Sequence, residues 1–125
     1  MYSIDNIKAI LDEVADEVPE AFFQELNGGI ILLPDVKYHE PKKSGNGLYI
    51  LGEYHYDHRG LGRYITIYYG SLMRLYSDMG MAELREKLKE VLLHEFTHHV
   101  ESLAGVRSLE IKDAKDIRKY LGETD

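Results

Sequence analysis

Leu92-Leu93-His94-Glu95-Phe96-Thr97-His98-His99-Val100 is the stretch on which the reading of this 125-residue chain turns. On a helix that advances roughly 100° and 1.5 Å per residue, His94 and His98 stand about 40° apart around the axis and about 6 Å apart along it, so both imidazoles can reach one ion. Glu95, about 100° further round, falls beside that ion, where a carboxylate can act as general base on a water the ion activates. The stretch is therefore a candidate zinc-hydrolase motif, with His94 and His98 as metal ligands and Glu95 as catalytic base. The plain alternative is two helix histidines satisfied by packing and a surface acid between them. His99 points elsewhere on the helix and is expected to pack or to support the ligands.

The surroundings suit a helix. Asp78 to Gly80 introduces a long amphipathic run from about Met81 to Ala104, with Leu84, Leu88, Val91 and Leu92 as its core stripe and Gly105 as its stop. Glu83, Arg85, Glu86 and Lys89 fall mostly on the wet side. Upstream, Ser3 is placed to cap a helix whose stripe is Ile4, Ile7, Leu11, Val14 and Val18, and Pro19 opens a second short helix to about Leu26, closed by Asn27-Gly28. Three runs read as strands: Gly29 to Leu33, Leu48 to Tyr54, and Tyr64 to Tyr69, the last ended by Gly70. Tyr38 to Asn46 is a loop, Asp57 to Gly62 a turn, and Ser71 to Tyr76 a helical turn. A short final helix follows, with Asp113 as N-cap and Ile117, Tyr120 and Leu121 as its packing face. Together these predict an α+β fold in a single domain, residues 1–125: N-terminal helices and a small mixed β-sheet packed on the long motif-bearing helix.

Composition narrows the partners. A chain with 44% hydrophobic and 30% charged residues is an ordinary globular one. Its net charge of -7 and lack of basic clusters argue against nucleic acid. The seven acids among residues 1–26, against Lys8 alone, read as the solvated face of a surface helix. With no charged-then-apolar leader and Ile30 to Leu33 as the longest aliphatic run, no membrane is expected and a cytoplasmic location is the default. Absence of cysteine leaves imidazole and carboxylate as the only side chains to hold a metal.

A catalytic zinc takes three protein ligands and leaves a fourth position open, so a third donor is needed. Asp113 and Glu110 lie beyond the Gly105 break, where the chain can fold back over the helix. Glu101 stands about 20° from His94 but nearly two turns along, placed to ligate or to orient His98. They rank in the order Asp113, Glu110, Glu101, although capping its helix would also account for Asp113. Tyr64 to Tyr69 could offer an open edge on which an extended peptide pairs, and an ordinary sheet strand accounts for it at least as well. His55 and His58 suggest a second metal site only weakly, because a three-residue spacing on a strand or turn is not diagnostic.

With these residues in hand, the chain resembles the small bacterial zincin-like metallopeptidases, a minimal zincin fold of about this length carrying His-Glu-x-x-His-His late in the chain. The likeness runs in order through an acidic first helix, Pro19-Glu20-Ala21-Phe22, an aliphatic strand, Ile67-Tyr68-Tyr69-Gly70 and the long helix into His94 to His99. It implies a zinc ion (Zn2+) and hydrolysis of a peptide or protein substrate. In the aspartate zincins that this family resembles, the second histidine is followed at three residues by Gly and at six by Asp, where this chain has Glu101 and Ala104. An insertion after Val100 restores the match, since Ile111-Lys112-Asp113 is similar to the family's segment ending in the ligand aspartate; the resemblance thus implies Asp113. The rival expectation is a catalytically inactive zincin-fold module that binds metal or another protein. Oligomeric state is not set by the sequence.

Overall fold

Helix α1 (Ile4–Asp16) starts in a capping box: the Asn6 amide donates to Ser3 Oγ at 3.1 Å and the Ser3 amide to Asn6 Oδ1 at 3.0 Å. Its buried stripe is Ile7, Ile10, Leu11 and Val14. The computed structural model describes residues 2–39 and 48–106, and the final helix expected around Asp113 lies outside them. The second helix expected to run to Leu26 is a single 3-10 turn, Glu20–Phe23. Gln24 leaves helical space at φ -55, ψ 127, and Glu25 sits in the left-handed region at φ 62. That reversal still delivers Phe22 and Leu26 to the core.

Strand β1 (Gly29–Leu33) pairs in parallel with β5 (Gly62–Tyr68), and β5 pairs antiparallel with β4 (Gly52–Asp57), giving a mixed sheet of order β1-β5-β4. Strands β2 (Lys37–His39) and β3 (Leu48–Ile50) form a separate antiparallel ribbon. Two expectations change here. Leu48 to Tyr54 is two strands, because its first half pairs with β2 and its second with β5; between them the Leu51 carbonyl accepts the Tyr68 amide at 2.9 Å. The run Tyr64 to Tyr69 is not an open edge, since β5 has a neighbour on each side; the edge next to the motif helix is β4. Tyr69 and Gly70 already belong to helix α2 (Tyr69–Tyr76).

Helix α3 (Met81–Val106) carries the motif and runs through Gly105 instead of stopping before it. Leu84, Leu88, Leu92 and Phe96 are each 0% exposed and pack with Ile7, Val14, Ile65 and Ile67 in the core shared by α1, the sheet and α3. Each such burial is favourable by about 1.5–3 kcal/mol before the ordering entropy is set against it. Val91, expected in this stripe, is only half-buried and faces β4 at Gly52. The Phe96 ring meets Phe23 edge-on at 4.9 Å, which ties the 3-10 turn to the motif helix. Arg85 and Lys89, expected on the wet side, reach across to Glu13 of α1 and to its C-cap residue Glu17, so part of the acidic N-terminal surface is paired. Among the described residues no helix is long and apolar enough to cross a membrane.

Candidate metal centre and cleft

Because α3 is regular through the motif, His94 and His98 leave the same face of the helix and both are exposed. Their Nε2 atoms stand 3.3 Å apart, with the rings edge-on at 87°. A tetrahedral zinc with Zn–N bonds of about 2.0–2.1 Å holds its nitrogens about 3.3–3.4 Å apart, so the pair has the spacing of two zinc ligands. On the other side of the His98 ring, Nδ1 lies 3.6 Å from Glu101 Oε1. Glu101 therefore sits where a carboxylate orients a ligating imidazole, behind the ring and not in front of it.

Glu95 differs from its neighbours in burial, being 6% exposed. Among the described residues no hydrogen bond reaches its carboxyl. Burial pushes its pKa up; nearby His94 and His98 pull the other way, and the charge of Glu53 adds to the rise. Such a carboxyl is a stronger base than an ordinary glutamate, as general-base work near neutral pH requires. His99 turns inward and is fully buried. Its Nε2 donates to the Gln24 carbonyl at 2.7 Å and its Nδ1 accepts from the Tyr54 hydroxyl at 2.9 Å, an arrangement set by a carbonyl that can only accept. Burial holds its pKa down, and Arg63 also opposes a charge there, so His99 is a neutral cross-brace.

The motif face lines a cleft whose other wall is β4. Two hollows meet at Gly52, His94 and Glu95. One, of about 360 Å³, is bounded by Tyr49, Ile50, Leu51 and Val91, with the charged Lys87 and Glu90 also in its lining. The other, of about 730 Å³, is polar and runs past Glu53, Tyr54, His55, His98 and Glu101. Glu53 is itself held: Lys37 Nζ donates to its Oε1 at 2.7 Å and the Tyr68 hydroxyl at 2.6 Å. Burial acts to raise its pKa, but those two donors prevail and the carboxyl lies below its usual range.

His94, Glu95 and His98 thus meet as the motif spacing predicts, with Glu101 behind His98. Asp113 and Glu110, the first two candidates for a third ligand, lie outside the described residues. Among the described residues no cluster of three or more metal-ligating side chains gathers. His55 and His58 do not converge: His55 bonds Thr66 Oγ1 at 3.0 Å and stacks on Tyr64, while His58 lies against Tyr56. The sequence does not announce the cleft wall. Gly52, Glu53 and Tyr54 carry no motif, and the one available signal is a glycine in a strand, which often marks a close approach of backbone to another element.

The family model for zincin-like metallopeptidases matches residues 43–115 of the 125. Among solved structures, a conserved hypothetical protein from Thermus thermophilus is similar at 32% identity, with a TM-score of 0.67, over 82% of this chain and 98% of that one. No curated protein matches the chain with significance.

Proposed function

The chain belongs to the zincin-like metallopeptidase family, and from that premise we propose that it hydrolyses peptide bonds with a zinc ion held by His94 and His98 and with Glu95 as general base. The observation that carries the reading is the 3.3 Å between the two Nε2 atoms, set beside a buried carboxyl whose pKa is raised. A zinc ion bound there supplies a Lewis acid that polarises a carbonyl and brings the pKa of water down to about 7. Glu95 takes the proton of the attacking water and can return it to the departing amine, a shuttle that its raised pKa favours. Glu101 orients His98 through Nδ1. The open edge of β4 offers backbone groups with which an extended peptide pairs, and the two hollows receive side chains on either side of the bond to be cut.

In this proposal Asp113 completes the ligand set, with Glu110 next in order; the position of Glu101 behind His98 favours orientation over ligation. Residues 1–125 act as one domain on a peptide or protein substrate.

The test is cleavage of a peptide library by zinc-loaded protein, followed by mass spectrometry, with the metal content measured alongside. Glu95→Gln should lose about 10²–10⁴ in rate and keep its zinc. Equal rates for parent and variant would remove Glu95 from the mechanism, whereas zinc binding without any cleavage would leave the inactive metal-binding module. Asp113→Ala should shed zinc; full occupancy in that variant moves the third ligand to Glu110 or Glu101.

A further inference from the structure

The motif's last histidine has no part in the chemistry proposed above, yet it is fully buried and makes two hydrogen bonds to distant elements. On the footing that a peptide lies along β4, we propose that His99 and Tyr54 are positioning residues: together they form a spacer that fixes how far the peptide-accepting edge of β4 stands from the His94–His98 face of α3.

The geometry supplies two points of attachment. At the first, Gly52 brings the β4 backbone so near α3 that an added Cβ would lie 3.1 Å from Val91 Cγ1 and 3.1 Å from Ile67 Cδ1. At the second, two residues along the strand, the Tyr54 hydroxyl donates to His99 Nδ1 at 2.9 Å, with the rings 5.3 Å apart, and Ser102 is a further hydrogen-bond partner of that hydroxyl. The far side of the imidazole is anchored on the Gln24 carbonyl at 2.7 Å, so His99 cannot follow a movement of β4 without losing that bond.

Val91 precedes His94 and His99 follows His98, so the two attachments straddle the motif along α3. They differ in kind. The Gly52 approach sets a lower limit on the separation, because no room for a side chain is left between the strand backbone and Val91, and close-packed atoms resist further approach. The Tyr54–His99 bond sets an upper limit, because a hydrogen bond weakens steeply once its length and angle depart from the optimum. A strand bounded from both sides presents its edge at one distance from the metal-binding face. A peptide that pairs with an edge already held in place loses no affinity to ordering it, so the spacer acts on binding. Burying an imidazole needs such a return, since the two hydrogen bonds only restore what desolvation removes.

Tyr54→Phe tests this by deleting one oxygen and keeping the ring. In zinc-loaded protein, amide hydrogen exchange within Gly52–Asp57 should quicken about tenfold, while the amides of α1 and β1 hold their parent rates. For a decapeptide that the parent cleaves, KM should rise about tenfold with kcat within about twofold, and zinc content should not change. His99→Gln, whose amide can still donate to Gln24 and accept from Tyr54, should recover most of the parent behaviour in both measurements.

Unchanged exchange in Gly52–Asp57 would overturn the spacer. So would faster exchange spread evenly over every element, which is what a merely structural loss produces, or a fall in kcat at constant KM. If the parent cuts no peptide at all, the hydrolase reading fails, yet exchange in β4 still decides whether the spacer exists.

Discussion

Between Leu84 and Leu92, the fully buried side chains of α3 are three leucines that fill the core beside α1. Between Glu95 and His99 the same helix buries a carboxyl, a hydroxyl and an imidazole around Phe96. The first stretch follows the rule that apolar surface goes inside. The second breaks it three times in five residues, and each polar burial costs free energy unless a partner offsets it. Thr97 has its offset in the Leu93 carbonyl at 3.0 Å, and His99 in Gln24 and Tyr54. Glu95 has no hydrogen bond among the described residues. Its carboxyl lines the cleft beside the two imidazoles and is not sealed from solvent there, which offsets its burial. The contrast teaches that the apolar packing and the polar groups assigned to the proposed chemistry occupy different halves of one helix, with Phe96 as the apolar fixture they share.

The largest effect that would break this contrast is expected at Leu88. Leu88→Ala should cost about 2–5 kcal/mol in urea unfolding, through lost transfer energy and the cavity left in a site that is 0% exposed. The folded fraction should bind zinc as the parent does. A cost under about 1 kcal/mol would mean that the N-terminal half is loosely packed and that stability resides elsewhere.

Zinc itself gives the next effect, now from the other half. A ligand that binds only the folded state at 100 times its Kd stabilises by about 2.7 kcal/mol. The parent should therefore melt later with zinc than with a chelator, and His94→Ala should show no such difference. A zinc response that survives His94→Ala would place the metal away from the motif and sever the polar half from the proposed chemistry.

How much of this is legible in the sequence follows from how far apart the interacting residues lie. The long helix and the meeting of His94 with His98 depend on spacings of three and four residues, so periodicity alone yields them, together with the burial of Leu84, Leu88 and Leu92. The strand Gly62–Tyr68 is equally plain as a strand, but its place at the centre of the sheet depends on β1 and β4, whose register is not local. Composition therefore cannot tell a central strand from an edge, and the edges of the sheet are β1 and β4. Leu48 to Tyr54 reads as one strand because nothing in its composition marks Leu51 as the point where the chain leaves the ribbon for the sheet. The 3-10 turn after Pro19 reads as a longer helix since the left-handed Glu25 is a non-glycine exception that no propensity anticipates. The role of His99 is visible in the sequence only as the lack of a role on the metal face.

A smaller effect concerns the cleft wall, and pH reads it. Glu53 is the polar side's counterpart to the leucines of α3: a partly buried carboxyl held by Lys37 and Tyr68. Its pKa in the folded protein lies below the ordinary 4.5. A depressed carboxyl contributes stability that is complete above the unfolded value and is lost as pH falls through the folded one. Parent stability should thus decline from about pH 4.5 downward more steeply than that of Glu53→Gln, which lacks this titration. Parallel curves for the two proteins would show that Lys37 and Tyr68 do not hold the wall through charge.

The smallest effect is expected where the contacts look most numerous. Arg85 Nη1 lies 2.6 Å from Glu13 Oε1, its other nitrogen reaches Glu17, and Lys89 adds a second cation at 3.3 Å from Glu17. Yet the Glu13 side chain is 67% exposed, and exposed ion pairs are screened by water and weakened by the entropy of holding long side chains still. At 1 M salt the screening length falls to about 3 Å, comparable to these separations, so the attraction across exposed pairs is much reduced. Arg85→Ala should shift the melting point far less than Leu88→Ala, and in about 1 M salt only the loss of packing by the arginine stem should remain. Were the two substitutions to cost the same at low salt and differ at high salt, the seam between α1 and α3 would be an ionic one. The distinction between an apolar half that stabilises and a polar half proposed to react would then have to be redrawn, with charge serving both.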